Sequence, residues 1–413
     1  MKLKIKDICL INQSTISSND DIEEILYLDT SNLTQNVIAC LQKYTLEEAP
    51  SRAQRKVHHN TIIYSCVRPN QKHYGIMSYP KKNLIVSTGF ITLDIKKEIQ
   101  NAVNAQFLYY ILTQDGVSSY LQTIAENSVS SYPSINPNDI GNLSFEFPNI
   151  EIQQKIATTI YSIDRKISLN RAINQNLESL AKQLYDYWFV QFDFPNEEGK
   201  PYKSSGGKML WNEKLKREIP EGWHCGNLFE IATFTNGIAC QKYRPKEGEK
   251  PLPVIKIREM HDGITSDTEL VSPSIPDSVK VYNGDVLFSW SASLEVMLWC
   301  YGKGGLNQHI FKVSSANKFP KSFYYFRLLD YVTVFKKMAE ARKTTMGHIT
   351  QDHLQQSIIA IPDDISIANK LDDIISPIID KIVKLQEEIT ELTKQRDELL
   401  PLLMNGQVSI QNQ

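Results

Sequence analysis

The sequence predicts an α/β protein in which two mixed α/β domains are joined by two long, antiparallel coiled-coil helices. Three observations predict this fold: an internal repeat, two heptad patterns of matched length, and strand-like and helix-like runs that recur in the same order in both halves. The predicted layout is a first domain at 1–150, a first long helix at 151–190, a connector at 191–222, a second domain at 223–362, and a second long helix with a tail at 363–413.

The repeat consists of three pairs of segments. SINPNDIGNLSFEFP (134–148) is similar to HITQDHLQQSIIAIP (348–362), and FLYYIL (107–112) is similar to FYYFRL (323–328). IDRKI (163–167) is loosely similar to IDKI (379–382). The three pairs keep one order and nearly one separation, which indicates a duplicated domain followed by a helix. The period is far too long for a solenoid.

The first long helix is predicted from positions spaced alternately by four and three residues, an apolar stripe called here the seam. Its members are Ile156, Ile160, Ile163, Ile167, Asn170, Asn174, Leu177, Ala181, Leu184 and Trp188. No glycine or proline interrupts residues 151–188. Asn170 and Asn174 either fix the register of a helix pair or lie where the pair opens to solvent.

A second seam has the same spacing: Leu371, Ile375, Ile378, Ile382, Leu385, Ile389, Leu392, Arg396, Leu399 and Leu403. Pro377 is expected to kink this helix or delay its start, and Gly406 is expected to cap its end. Two matched seams in one chain are expected to pack on each other antiparallel. The alternative is that each helix packs on its own domain.

Each globular half combines strands with a helix. Strands are predicted at 61–67, 83–95, 285–290, 296–301 and 309–313, and the N-terminal KLKIKDICLI is also expected to be a strand. Helices are predicted at 105–125, with a break at Gly116, and at 321–341. The order of the strands in the sheets does not follow from the sequence.

Several catalytic classes lack their motifs. The chain has no adjacent prolines for an amino-methyltransferase motif, no phosphate-binding P-loop, no Gly-x-Ser-x-Gly and no His-Glu-x-x-His. Gly302–Gly305 is expected to be a hairpin loop and not a cofactor-binding turn. Asp193 and Glu198 lack the strand context of a nuclease metal site. We therefore expect no catalytic residue and no metal site.

Composition narrows the class further. The net charge is −2, but residues 203–361 carry 21 lysines and arginines against 16 acidic residues, which is compatible with a polyanionic partner. Six cysteines without metal-ligand spacing indicate free thiols in a reducing cytoplasm. No long apolar run or signal peptide is present, so we expect a cytoplasmic protein without a membrane contact.

The chain resembles the specificity subunits of type I restriction-modification systems. The resemblance is carried by the connector segments 192–208 and 215–223, by NLESLAKQLYDYWF (176–189), by ELLPLLMNGQV (398–408), and by QQKIATTIYSIDRKI (153–167). ANKLDDI (368–374) departs from the family in lacking a Glu-Gln pair. The first domain is also expected to lack a counterpart of GWHCGNLFEI (222–231).

The resemblance implies that each domain is a target recognition domain that reads one half of a bipartite, asymmetric sequence in double-stranded DNA. The helix pair would set the spacing. Two modification subunits would dock, supply S-adenosylmethionine and methylate adenine. Two restriction subunits could then join and use ATP and Mg²⁺. This chain would hold no cofactor and would not be an enzyme. The alternatives are a self-contained modification or restriction enzyme with divergent motifs, and a coiled-coil adaptor without DNA binding.

Three polar, basic stretches are candidates for contacts with bases or phosphates, because arginine, lysine and amide side chains make most such contacts. The candidates are Arg52, Arg55, Lys56, His58, His59, Lys242, Tyr243, Arg244, Lys246, Arg342, Lys343 and Thr344. The counterpart of the last stretch in the first half is 128–132. The alternative for any one of these residues is a solvated loop.

Overall fold

The computed structural model describes residues 1–17, 20, 22–128, 132–291, 293–341, 349 and 351–408. The chain forms two compact units, one of Met1–Arg165 with Lys394–Gln413 and one of Lys166–Thr393. Each unit contains one mixed α/β domain and the segments of the long helices that pack on it. Within the described part of the chain, no helix is both long and apolar enough to span a membrane.

The described residues of the first domain form twelve strands and four α-helices. In chain order they are β1 (Lys2–Lys4), α1 (Ile5–Ile8), β2 (Cys9–Ile11), β3 (Glu24–Leu28), β4 (Leu33–Thr34), β5 (Val37–Ile38), β6 (Gln42–Thr45), β7 (Ala53–Lys56), β8 (Thr61–Ser65), β9 (Tyr74–Met77), β10 (Leu84–Ser87), β11 (Phe90–Ile95), α2 (Ala105–Leu112), α3 (Asp115–Glu126), α4 (Pro137–Gly141) and β12 (Ser144–Glu146).

The remaining elements begin with the first long helix. They are α5 (Ile150–Tyr185), β13 (Met209–Asn212), β14 (Arg217–Pro220), β15 (Trp223–Gly226), α6 (Leu228–Ile231), β16 (Ala232–Asn236), β17 (Leu252–Ile255), α7 (Ile257–Asp262), β18 (Leu270–Val271), β19 (Lys280–Val281), β20 (Val286–Ser289), β21 (Glu295–Leu298), β22 (Gly304–Leu306), β23 (Ile310–Ser315), α8 (Lys321–Ala341), α9 (Gln351–Gln355), β24 (Ile359–Pro362) and α10 (Ser366–Met404). A π-helical turn, Asp186–Val190, continues α5.

The two domains have the same sheet topology. In the first, the strand orders are β6-β3-β10-β7 and β2-β11-β8-β9; in the second they are β18-β17-β22-β19 and β16-β23-β20-β21. One pair is parallel in each domain, β3 with β10 and β17 with β22. A small antiparallel pair, β1–β12 or β15–β24, completes each domain. The duplication predicted from three short segments therefore extends over the whole domain.

The N-terminal segment corrects two expectations. Residues 2–11 do not form one strand, because the helical turn α1 separates β1 from β2. Ile5 and Ile8 are three residues apart, so the turn buries both, as α6 buries Leu228 and Ile231. The expected absence of a counterpart to 222–231 was also wrong, because β1, α1 and β2 occupy the places of β15, α6 and β16.

Two glycine assignments also change. The helical region at 105–125 breaks at Thr113 and Gln114, and Gly116 lies inside α3. Gly304 belongs to strand β22 and not to a hairpin loop, although the preceding Gly302 does turn the chain with a φ of 88°. A Cβ atom at Gly304 would lie 2.6 Å from Ile255 Cδ1, so the strand needs glycine for close packing. The segment 83–95, predicted as a strand, instead forms two strands, β10 and β11, which belong to different sheets. The other predicted strands are confirmed with shifted ends, and the helix at 321–341 has the predicted bounds.

The second long helix begins at Ser366, before Pro377, so the expected delay of its start by that proline was wrong. Its end follows the prediction. Gly406 has a φ of 67°, its N–H donates to the carbonyl of Leu403 (3.3 Å), and the N–H of Gln407 donates to that of Leu402 (2.9 Å). Glycine is favoured here because the capping residue takes a left-handed conformation.

The connector is packed and hydrogen-bonded. Phe192 and Phe194 are buried, and their ring centroids lie 5.2 and 5.7 Å from that of Trp223. Asp193 accepts hydrogen bonds from the backbone N–H of Ser204 (2.7 Å) and from its hydroxyl (2.6 Å). These bonds lower the pKa of the Asp193 carboxyl although burial opposes the shift. Asp193 thus has a structural role in closing the connector.

Candidate DNA interface and helix contacts

One edge of a sheet is built in the same way in both domains, and we call it the loop edge. It lies where β8 or β20 ends and β11 or β23 begins. In the first domain the N–H of Cys66 donates to Gly89 (2.7 Å) and that of Ile135 donates to Cys66 (2.8 Å). In the second, the backbone N–H of Trp290 donates to the carbonyl of His309 (3.3 Å), and the N–H of Ile349 donates to the carbonyl of Trp290 (3.0 Å). The loop edge therefore joins the strand ends to the repeat segment before α4 or α9.

In the second domain the loop edge carries a cluster of amide, indole and imidazole side chains. The indole Nε1 of Trp290 donates to Asn236 Oδ1 (3.3 Å), and its ring centroid lies 5.6 Å from that of His309. Gln308 Nε2 lies 3.3 Å from His309 Nε2. Asn236 is exposed, and the other three are half-buried. Amide and imidazole groups at a strand end can present donors and acceptors to a base edge.

In the first domain Arg55 lies beside the loop edge. Its positive charge opposes the effect of burial on the thiol of Cys66, and burial still raises the pKa of that thiol to about 11. Burial also lowers the pKa of the Arg55 guanidinium, whose Nε is buried with no hydrogen-bond partner among the described residues. Arg52 is close by, because its carbonyl accepts from the N–H of Thr88 (2.8 Å).

The structure divides the first predicted basic stretch. Arg52 and Arg55 lie near the loop edge, and Lys56 pairs with Asp20 (2.7 Å). His58 and His59 precede β8 and therefore lie at the opposite edge. There His58 Nε2 is 3.1 Å from Ser14 Oγ, and the His59 ring stacks on an exposed tyrosine, with centroids 4.1 Å apart. The two arginines therefore lie near the loop edge of the first domain, whereas the two histidines do not.

The second basic stretch is an exposed loop that starts at the loop edge of the second domain. The N–H of Gly237 donates to Ile310 (3.0 Å), and Ile238 forms a parallel bridge with Asn307. Lys242, Tyr243, Arg244 and Lys246 follow, all exposed. In the part of the chain that is described, none of these three cations forms an ion pair with a carboxylate. Arg342, Lys343 and Thr344 lie outside the described residues.

In the unit 166–393, α5 packs on α10 in antiparallel fashion, because later residues of α5 meet earlier residues of α10. Lys166 Nζ and Glu388 Oε1 are 3.2 Å apart, and Asn170 Nδ2 donates to Glu388 Oε2 (2.9 Å). Asn174 Nδ2 donates to the carbonyl of Ile382 (3.3 Å). Only 2% of Asn170 and 6% of Asn174 is exposed, so these asparagines do not lie where the pair opens to solvent.

In the other unit, the start of α5 and the end of α10 meet the first domain. Asp164 Oδ1 is 3.2 Å from Arg396 Nη1, and the hydroxyl of Tyr110 in α2 donates to Asp164 Oδ2 (2.8 Å). Burial opposes the charge of Arg396, but Asp397 and Asp164 raise its pKa overall. This network places an ion pair where a heptad pattern expects an apolar contact.

Most predicted seam residues are buried. Buried are Ile156, Ile160, Ile167, Asn170, Asn174, Ala181, Trp188, Leu371, Ile375, Ile382, Leu385, Ile389 and Leu403. Half-buried are Ile163, Leu177, Leu184, Ile378, Leu392, Arg396 and Leu399. Several also enter the cores of the domains, so both packing schemes considered from the sequence operate at once. No group of three His, Cys, Asp or Glu among the described residues could hold a metal ion.

Comparisons with known proteins agree on one family. The family model described as type I restriction modification DNA specificity domain matches residues 1–179 and 220–395. The type I restriction enzyme MjaIX specificity subunit of Methanocaldococcus jannaschii is 24% identical over 402 residues, which cover 95% of this chain and 88% of that protein. The HindI specificity subunit of Haemophilus influenzae is 23% identical and covers 93% of this chain and 94% of its own length.

A solved structure gives the same fold. The structure of a type I restriction-modification S subunit from M. genitalium superposes with a TM-score of 0.60 at 15% sequence identity. The superposition covers 98% of this chain and 95% of that one. At this identity the likeness concerns the fold alone.

Proposed function

The chain belongs to the type I restriction-modification DNA specificity family, and from this premise we propose that it selects the DNA target of a multisubunit methyltransferase and restriction enzyme. Each domain reads one half of a bipartite site, and the long helices set the distance between the halves. One observation carries the proposal: the two domains share one strand order, and each is followed by a long helix. A duplicated reader is what an asymmetric two-part site requires.

The helix contacts support the role of a spacer. Two readers on one duplex must meet grooves that face the same way, and these recur about every 34–36 Å. A flexible linker would allow many spacings, whereas a helix fixed in register favours one. The buried asparagines of α5 hydrogen-bond to α10, and such polar contacts within a helix pair specify register.

The chemistry is assigned to partner subunits. The chain lacks the methyltransferase, P-loop and hydrolase motifs, so S-adenosylmethionine, ATP and Mg²⁺ would bind elsewhere in the complex. The repeat of domain plus helix offers two equivalent docking surfaces, which suits two modification subunits. Two restriction subunits could then join that assembly. This chain would contribute recognition and no catalysis.

The test is a comparison of the purified chain with its complex. We expect the chain alone to transfer no methyl group from tritiated S-adenosylmethionine to DNA. We expect the complex with the modification subunit of the same system to methylate adenine in one bipartite motif, read by methylome sequencing. Methyl transfer by the chain alone would favour a self-contained enzyme. The absence of any methylated motif and of any DNA protection by the complex would favour an adaptor.

A further inference from the structure

Equivalent positions at the two loop edges hold different chemistry. Ser65 pairs with Phe90 in the first domain, as Ser289 pairs with Ile310 in the second. The following residues are therefore equivalent: Cys66 with Trp290, Gly89 with His309, and Thr88 with Gln308. The backbone hydrogen bonds of the loop edge repeat across these pairs. The frame is conserved between the domains, whereas the side chains that it presents are not.

The first domain has a cation beside its loop edge. Positions 66, 88 and 89 hold small residues, and Arg55 pairs with Val86 on β10, two residues before Thr88. Arg55 is half-buried, and among the described residues no carboxylate forms an ion pair with it. An unpaired guanidinium that is partly removed from water is costly, so folding leaves its donors available to a ligand. Its neighbour Lys56, in contrast, is already paired with Asp20.

The second domain carries amide and aromatic groups at its loop edge. Trp290 holds Asn236 by a hydrogen bond and contacts the ring of His309, which in turn lies beside Gln308. His309 Nδ1 is buried without a hydrogen-bond partner in the described part of the chain. The cluster thus presents two amides on a frame of strand ends. Such a set suits hydrogen bonding to base edges better than gripping phosphates.

We propose that the two loop edges read different bases: Arg55, beside the loop edge of the first domain, reads a guanine in one half-site, and the amides of Asn236 and Gln308, positioned by Trp290 and His309, read an adenine in the other. An arginine fork matches the two acceptors of guanine in the major groove, O6 and N7. An asparagine or glutamine amide matches the N7 acceptor and N6 donor of adenine. The inference rests on the proposed function and assigns the side chains that recognise the bases.

The experiment uses the complete methyltransferase complex. Methylome sequencing gives the motif of the natural chain and of the variants Arg55→Lys and Gln308→Ala. Competition between duplexes that differ at single bases then measures discrimination. Arg55→Lys keeps the positive charge but loses the fork, so it separates base reading from charge. Thermal unfolding of each variant verifies that it is folded. Lys43→Gln, on strand β6, and Gln356→Ala, an exposed glutamine at the end of α9, are the matched controls.

We expect Arg55→Lys to relax one G·C position in one half-site, with a loss of discrimination of about 5- to 150-fold. Gln308→Ala should relax one A·T position in the other half-site. Spacing, the opposite half-site and both controls should be unchanged. An unchanged motif in both variants, or a uniform loss of affinity for all sequences, would overturn the inference while the natural complex still methylates a bipartite motif. The absence of any motif for the natural complex would instead remove the proposed function on which the inference rests.

Discussion

Asn174 donates a hydrogen bond from Nδ2 to the backbone carbonyl of Ile382 on the neighbouring helix, 3.3 Å away. Its Oδ1 is buried and has no hydrogen-bond partner among the described residues. A buried amide that is only half satisfied costs stability, so its place on an otherwise apolar seam is best explained by specificity of register.

Replacing this asparagine should therefore separate stability from register. Asn174→Leu is expected to raise the free energy of unfolding by about 1 kcal/mol, because it removes a buried amide with an unmade hydrogen bond. The methylated motif of the complex should then show more than one spacer length. Urea unfolding and methylome sequencing measure the two effects. Asn176→Leu, at an exposed position on the same helix, should change neither. A single unchanged spacer for Asn174→Leu would contradict the role in register.

The length of the helix pair should set the spacer. Inserting one heptad into α5, together with a matched heptad in α10, keeps each seam in phase. We expect a changed spacer length and unchanged half-site sequences, read from the methylome. An insertion of two residues in each helix turns the following residues by about 200° and moves the seam to the opposite face, so it should abolish methylation and is a control for helix pairing. An unchanged spacer length after the heptad insertion would contradict the role of the helix pair in setting that length.

The network of Tyr110, Asp164 and Arg396 should stabilise the first unit. Arg396→Met removes a charge-assisted contact, and we expect a loss of about 1–2 kcal/mol in the free energy of unfolding. Asp397 also pairs with Arg396 (2.8 Å) but is 61% exposed at its side chain. Asp397→Asn should therefore cost less than about 1 kcal/mol. Chemical denaturation compares the two variants, and equal effects would show that the partly buried pair has no special role.

His224 should make the stability of the second domain depend on pH. Burial lowers the pKa of this imidazole, but its hydrogen bonds to the carboxylates of Asp363 and Glu230 outweigh that effect and raise the pKa overall. A raised pKa in the folded state contributes stability that is fully present below the unfolded pKa, about 6.5, and is lost as pH rises through the folded value. Urea midpoints of the natural chain minus those of His224→Gln should therefore be larger at pH 5.5 than at pH 8.5. A difference independent of pH would contradict the pairing.

Two glycines should respond to alanine in opposite directions. At Gly304 a Cβ atom would lie 2.6 Å from Ile255 Cδ1 and 3.0 Å from the carbonyl of Pro253, so Gly304→Ala should destabilise the second domain by about 1–3 kcal/mol. At Gly116, within α3, no atom lies within 4 Å of the added Cβ. Gly116→Ala should stabilise the chain by about 0.5 kcal/mol. Thermal unfolding checks both, and destabilisation by the second variant would contradict the assigned helix.

Local patterns were sufficient for the long elements. The heptad spacing of residues such as Ile160 and Ile382 is a property of consecutive turns of one helix, so it predicts burial without knowledge of the partner. The cap at Gly406 was also predictable from the sequence, because a left-handed capping conformation depends on the residue itself. Predictions of short strands were wrong more often. At Ile5 and Ile8, the same residues suit a strand or a helical turn, and packing in the domain decided between them.

The sequence by itself determined that this protein is a duplicated domain with two long helices, because similarity and heptad spacing are carried along the chain. Only the tertiary structure decided the strand order and which polar side chains share the loop edge. Asn236, Trp290 and His309 are far apart in sequence and become neighbours only through strand pairing. Strand pairing depends on packing between distant segments, and no local preference encodes it.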